Sequence, residues 1–323
     1  MAVKMVFWPA LRADWMAEVR GLGGVEVVEA KSEKEALSQI GDADAYYGKV
    51  TPELLSGAKK LRWIQATSAG LDGFFFPELR VHSVVVTNQR GIYSDVIADH
   101  VFAFLLSFAR GMHHFVRRQL EGRWEKQGVP VIHVAGRTLG VMGLGGIGLA
   151  VAQRGAAFGM RVLAMDPAPK GKPEYVERIY DPSELHEFLG ECDFPVICVP
   201  HTGETDHMID AAALGVMKKT AVLINIGRGK VLDLAALTQA LEAGALAGAA
   251  LDVFEEEPLV EGHPLWKMEN VMITPHVAAI SPEIEKRRIA LILENIRRFR
   301  DGKRLLNEVD KKAGYVVQAD SLV

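Results

Sequence analysis

Three motifs in the second half of the chain carry residue types that suit proton and anion chemistry, each just past an apolar, strand-like run. They are Asn225-Ile-Gly-Arg228-Gly, Asp252-Val-Phe-Glu255-Glu256-Glu257-Pro258 and Thr274-Pro-His276. An arginine flanked by glycines is a fork for a carboxylate, because it offers two parallel charge-assisted hydrogen bonds. A histidine past a buried strand is placed to act as a general acid or base near neutral pH. One acid of the 255–257 run beside that histidine would hold it protonated, while the others would be solvated loop residues. Spacing alone does not choose among Glu255, Glu256 and Glu257.

Upstream lies Gly143-Leu-Gly145-Gly146-Ile147-Gly148, close to the middle of the 323-residue chain. A strand-like run, Thr138 to Met142, leads in, and a helix-like run from Ile147 to Phe158 leads out, with Gly159 as its C-cap. Glycines at this spacing bring backbone N–H groups and a helix N-terminus against a pyrophosphate. Asp166 stands 18 residues past Gly148, at the end of the next strand-like run. An acid there hydrogen-bonds the ribose hydroxyls of NAD and repels a 2′-phosphate, so NAD is expected over NADP. Lys170 close by softens that preference, and Asp166 before Pro167 also suits a plain turn.

These motifs need strands to carry them. Strand-like runs at Val3 to Trp8, Val25 to Glu29, Asp44 to Tyr47, Arg62 to Ala66 and Val84 to Thr87 alternate with helical patterns. One long helix is expected from Ser94 to Glu121, apolar nearly all round in its first half. Alternation resumes to a last strand at Val271 to Thr274 and a final helix from Ser281 to Arg300. The expected fold class is α/β, with two doubly wound parallel-sheet domains. The central position of the glycine fingerprint leaves room for a first domain ahead of it. We expect a Rossmann dinucleotide-binding domain over 99–291, inserted into a substrate domain of 1–98 with 292–323.

Hydrophobic residues make up 49% and charged ones 24%, so a large packed core is expected. A net charge of -4 argues against a nucleic acid or an anionic membrane surface as partner. The two cysteines, Cys192 and Cys198, read as core residues of a reducing compartment. No apolar run reaches the length of a membrane span, and residues 1–15 hold no signal-peptide core. A cytoplasmic protein is expected. No metal-ligand spacing is evident, and His113-His114 suggest no ligand set.

In their order, GLGGIG, Asp166, NIGRG, DVFEEEP and TPH resemble the D-2-hydroxyacid dehydrogenase family. Ser68-Ala69-Gly70-Leu-Asp72 and Ile97-Ala-Asp99-His100 are similar to family segments, although Asp99 stands where glutamate is common. Val199-Pro200-His201-Thr202 is similar to a Pro-x-Thr element. The resemblance implies a flavodoxin-like first domain. It implies that Arg228 clamps the substrate carboxylate, that His276 is the acid/base and that Glu257 is its partner. Gly143, Gly145, Gly146, Ile147, Gly148, Asp166, Pro200, Thr202, Ile226, Arg228, Asp252 and His276 would then touch NAD, with Asp252 on the nicotinamide carboxamide. Ser68, Ala69 and Gly70 would help hold the carboxylate, and Lys49 would meet the substrate side chain.

The implied reaction interconverts a small 2-oxo acid, of the glyoxylate or hydroxypyruvate kind, and its D-2-hydroxy acid. A hydride from NADH reaches C2 while His276 protonates the oxygen. The resemblance further implies a homodimer through the Rossmann domain, using the helix from Ser94 and the Gly122-Arg-Trp124 arm. A phosphite-oxidising relative would keep the same three residues, and a corepressor-like NAD sensor would keep the fold. A formate dehydrogenase is disfavoured, because its similar enzymes place glutamine at the position of Glu257. The extra regulatory domain that some phosphoglycerate dehydrogenases of the family carry is not expected after the last helix.

Overall fold

The computed structural model describes residues 2–312 and 314–316. The chain forms two compact units, Met1–Ile92 with Ser281–Val323 (unit 1) and Tyr93–Ile280 (unit 2). The divisions fall at 92/93 and 280/281, ahead of the expected 98/99 and 291/292. The reason is that the helices at these points are not split. Each falls whole within one unit.

Among the described residues, unit 1 begins with β1 (Val3–Phe7), α1 (Ala13–Gly21), β2 (Val25–Glu29), α2 (Glu33–Gln39) and β3 (Ala45–Tyr47). It continues with α3 (Pro52–Gly57), β4 (Trp63–Gln65), α4 (Pro77–Val81) and β5 (Val85–Thr87). The strands form a parallel sheet in the order β2-β1-β3-β4-β5, the flavodoxin-like arrangement. Side chains alternate across it. Met5 and Phe7 face one apolar cluster, and Val6 faces the other. Local chemistry sets the helix starts: the Ser32 hydroxyl accepts from Glu35 N, and Thr51 accepts from Leu54 N ahead of Pro52.

Unit 2 opens with α5 (Ser94–Ala109) and α6 (Met112–Leu120). The single helix expected over 94–121 is therefore two. Gly111 breaks it at φ +63, where a Cβ would lie 2.2 Å from Val129 Cγ1. The rest of the unit runs β6 (Thr138–Met142), α7 (Gly146–Ala157), β7 (Arg161–Met165), β8 (Arg178–Tyr180), α8 (Leu185–Glu191) and β9 (Phe194–Ile197). Then follow α9 (Ala211–Gly215), β10 (Val222–Asn225), α10 (Leu234–Glu242), β11 (Gly248–Leu251) and β12 (Val271–Ile273). These strands pair in parallel in the order β12-β11-β10-β9-β6-β7-β8. The direction of winding reverses between β6 and β9, as in a dinucleotide-binding sheet. The central strands are buried on both faces, so they read as unbroken apolar runs. The apolar face of α5 is covered within the unit, by α7 and the sheet.

The chain returns to unit 1 in α11 (Pro282–Arg300), capped by Ser281. Ile289, Ile292, Leu293 and Ile296 pack on the face that holds Met5 and Phe7. Asn295, fully buried, donates to Gln65 Oε1 and Leu306 O and accepts from Leu306 N, tying the helix to β4. No helix among the described residues is long and apolar enough to cross a membrane.

Candidate functional site

The glycine fingerprint sits between β6 and α7. Gly143 has φ +92, a turn that L side chains rarely adopt. A Cβ on Gly148 would lie 1.9 Å from Gly143 O, so the helix can approach the turn only with glycine there. Gly145 is the N-cap of α7, Gly146 opens the helix and Ile147 follows. This cradle, with backbone N–H groups at a helix start, fits a dinucleotide pyrophosphate. Asp166, at the end of β7, accepts from Leu144 N at 2.7 Å and from Ala168 N at 2.9 Å. It therefore ties the glycine turn to the neighbouring strand. Pro200 and Thr202 lie in the turn after β9, where Thr205 Oγ1 bonds Pro200 O and Thr202 N. Ile226 is buried after β10.

Three neighbouring strands, β10, β11 and β12, carry the remaining groups just past their carboxyl ends. Asn225 braces the arginine loop from both sides: its Oδ1 accepts from Gly227 N and its Nδ2 donates to Arg228 O. Arg228 Nη1 donates to Gly227 O at 2.7 Å. A Cβ on Gly229 would lie 1.8 Å from Phe254 C, so the arginine loop lies directly against the acidic loop.

The three acids take separate roles. Glu255 Oε1 accepts from Leu234 N at the start of α10. Glu256 is exposed. Glu257 accepts from Phe254 N on Oε1, and its Oε2 lies 2.7 Å from His276 Nδ1. A carboxylate only accepts, so Nδ1 carries the proton, and Nε2 is the nitrogen left for other chemistry. The pair is accessible, with side-chain exposures of 51% for His276 and 37% for Glu257.

Behind the histidine stands a network that no spacing rule suggested. Asp252, 1% exposed, accepts from Thr274 Oγ1 at 2.6 Å, Val277 N at 2.9 Å and Ala278 N at 3.0 Å. Since the Thr274 hydroxyl donates to Asp252, it accepts from His100 Nε2 at 3.0 Å. Burial pushes the His100 imidazole below its usual range, against the pull of Asp252. His276 itself sits at φ +53 and donates its N–H to Asp252 O and Thr274 O. The network thus holds a strained histidine at the strand end. The signal for it lay in the Ala-Asp-His segment, whose Asp99 pairs with Arg154 of α7 at 2.8 Å.

Within unit 1, a loop follows β4. The carbonyls of Ser68, Ala69 and Gly70 are each engaged, by Gln89 N, Asn88 Nδ2 and Ser68 Oγ. Lys49 is exposed past the end of β3. Among the described residues, no group of three or more His, Cys, Asp or Glu side chains gathers to hold a metal.

Residues 102–278 match the family profile described as "D-isomer specific 2-hydroxyacid dehydrogenase, NAD binding domain". A glyoxylate reductase of Korarchaeum cryptofilum is 39% identical over 281 residues, covering 84% of each chain. A D-isomer specific 2-hydroxyacid dehydrogenase of Xanthobacter autotrophicus Py2, solved with NADPH and MES, superposes with a TM-score of 0.84 at 32% identity. The match covers 98% of this chain and 100% of that one. An NADPH-dependent glyoxylate/hydroxypyruvate reductase of Sinorhizobium meliloti, solved with NADP and sulfate, gives 0.83 at 28% identity, covering 98% and 100%.

Proposed function

Because the chain belongs to the D-isomer specific 2-hydroxyacid dehydrogenase family and is an NAD(P)-dependent oxidoreductase, we propose that it reduces small 2-oxo acids, glyoxylate and hydroxypyruvate among them, to D-2-hydroxy acids. The observation that carries this reading is the 2.7 Å pair of His276 Nδ1 and Glu257 Oε2. The bound dinucleotide would supply a hydride to C2 of the substrate. As negative charge grows on the substrate oxygen, His276 donates a proton from Nε2, and Glu257 holds Nδ1 and fixes the ring plane. Arg228 holds the substrate carboxylate and so fixes which face is attacked. Ser68, Ala69 and Gly70 add backbone donors for that carboxylate, and Lys49 meets the distal part of the substrate. For the reverse reaction His276 is the base. Asp252 contacts the carboxamide besides bracing the loop. NAD is preferred over NADP, a reading supported by the carboxylate of Asp166 at the end of β7.

Initial rates on a panel of 2-oxo acids, with NADH and with NADPH, test this. His276→Gln should cost about 100-fold or more in kcat. Parental turnover in that variant would remove His276 from the role, and NADPH outperforming NADH would remove Asp166 from its own.

We also propose a homodimer through unit 2. Met112, Val116 and Leu120 form an exposed apolar stripe along α6, and Trp124 beyond it is fully exposed. Sedimentation should give a dimer, and a monomer at micromolar concentration would reject this surface.

A further inference from the structure

The dinucleotide cradle and the loop of His276 stand past different strands of unit 2, β6 and β12. Hydride and proton must nevertheless reach one carbonyl group in register. Helix α5 touches both places. Its first turn lies against the cradle, since a Cβ on Gly146 would come 2.7 Å from Ser94 Oγ. Asp99 then accepts from Arg154 of α7 at 2.8 Å, and Arg154 also donates to Asp95 O at 3.1 Å. The next residue, His100, reaches the acid/base loop, with Nε2 3.0 Å from Thr274 Oγ1.

The ring of His100 is held from behind. It meets Phe104 edge to face, with centroids 4.6 Å apart and planes at 78°. Phe104 is buried in the cluster that holds Ile224 of β10 and Ala250 of β11. The ring is therefore fixed to the sheet as well as to α5.

Chemistry sets the direction of the hydrogen bonds. The Asp252 carboxylate can only accept, so Thr274 gives it the single hydroxyl proton, at 2.6 Å. His100 must then present Nε2–H to the threonine oxygen. Burial keeps this imidazole neutral, which makes it the Nε2–H tautomer. A threonine hydroxyl can turn about its C–O bond. A donor seated on its lone pair leaves the O–H aimed at Asp252 and strengthens that bond. From Thr274 the constraint passes straight to the next site, because Thr274 O accepts from His276 N at 3.1 Å.

We propose that His100 is a positioning residue, which sets the loop of His276 in register with α5, and so with the dinucleotide cradle, through the hydroxyl of Thr274. Its kinetic part rests on the 2-oxoacid reading above, and its structural part does not.

The experiment compares the full chain with three variants. His100→Phe keeps a ring on Phe104 and removes the donor, His100→Gln offers an amide nitrogen in place of Nε2, and Thr274→Val removes the hydroxyl. Without ligand, imidazole nitrogen NMR spectra of the parent should show His100 as the Nε2–H tautomer at neutral pH. Amide exchange at Val277 and Ala278 should quicken about tenfold in His100→Phe. With NADH and glyoxylate, His100→Phe should lower kcat about tenfold, while KM for glyoxylate and Kd for NADH move by less than about threefold. His100→Gln should recover most of kcat. Adding His100→Phe to Thr274→Val should cost less than about twofold more, because both act through one hydroxyl. An Nδ1–H tautomer overturns the inference, and so does parental kcat in His100→Phe. A loss that His100→Gln fails to recover, or that multiplies in full with Thr274→Val, marks a ring that only fills space and overturns it too. Should the parent reduce no 2-oxo acid, the reductase reading falls and the ligand-free data decide on His100. Unchanged exchange at Val277 and Ala278 then overturns its role, and quickened exchange with the Nε2–H tautomer upholds it.

Discussion

Replacing Asp252 with asparagine tests whether the residue braces the histidine loop. The carboxylate accepts three hydrogen bonds, from Thr274 Oγ1, Val277 N and Ala278 N, at a site 1% exposed. Asparagine keeps one oxygen, which can serve Thr274 and Val277. Its amide nitrogen then faces the Ala278 N–H, donor against donor. Losing a bond to a charged acceptor costs about 1.5–3 kcal/mol, and the two remaining bonds weaken once the acceptor is neutral. The sum is about 3 kcal/mol, or a fall in Tm of roughly 6–12 °C for a unit of this size. Once released, His276 can leave its φ of +53, and a misplacement of about 1 Å costs up to roughly 100-fold in kcat. Thermal melting without dinucleotide, kcat for a 2-oxo acid and the Kd for NADH together read the effect. A Tm within about 1 °C of the parent, with only NADH affinity lost, would refute the brace and leave Asp252 as a cofactor contact alone.

Two further outcomes follow from the packing. Gly229→Ala places a Cβ 1.8 Å from Phe254 C, so the arginine and acidic loops must part. A cost of about 1–3 kcal/mol in stability and a loss of order 100-fold in kcat/KM are expected, and near-parental kinetics would show that the two loops need not touch. His113 packs 4.4 Å from the Phe108 ring, and burial lowers its pKa to about 4. Its folded value lies below the unfolded one, so the unfolded chain binds more protons between them. The contribution is complete above roughly pH 6.5 and drains away as pH falls toward 4, by about 1–2 kcal/mol after allowing for the ring's partial exposure. Denaturant titrations at pH 7 and 4.5 should show His113→Phe gaining on the parent at the lower pH. Parallel losses in both proteins would exclude His113 as the cause.

What the sequence revealed was mostly what the backbone requires. Gly143 and Gly148 were legible because φ +92 and a 1.9 Å approach tolerate no side chain, and evenly apolar β6, β10 and β11 announced a sheet covered on both faces. Three-residue β8 was not legible. It is an edge strand in which Tyr180 is buried, while Arg178 reaches out to Glu184 and Glu187. The break at Gly111 was hidden because a lone glycine does not by itself end a helix, and the turn at φ +63 shows only in the folded backbone. The choice among Glu255, Glu256 and Glu257 depended on the path of the loop, which spacing does not encode. The role of Asp99 emerged only once α5 lay against α7 and brought Arg154 within reach.

The acids of unit 2 share a device that bears on how an exposed pair can orient a reaction. A solvent-exposed ion pair is ordinarily worth about 0–1 kcal/mol, because two long side chains must be immobilised to make it. Glu257 avoids part of that loss. Its Oε1 is already bound to Phe254 N at 3.1 Å, which leaves Oε2 aimed at His276. The rotamer entropy of a glutamate, up to about 2 kcal/mol, is spent on the loop's own backbone before the histidine is engaged. Asp252 divides its oxygens in a similar way, with Oδ2 on Ala278 N and Oδ1 shared between Val277 N and Thr274. In Asp166, one oxygen secures Ala168 N in its own turn and the other reaches the glycine loop at Leu144 N. In Glu257 and Asp166 one oxygen fixes the carboxylate to its own loop and the other acts beyond it, whereas both oxygens of Asp252 brace the histidine loop. Orientation is therefore built into short backbone segments, and a half-exposed carboxylate can set the ring of His276 without being buried.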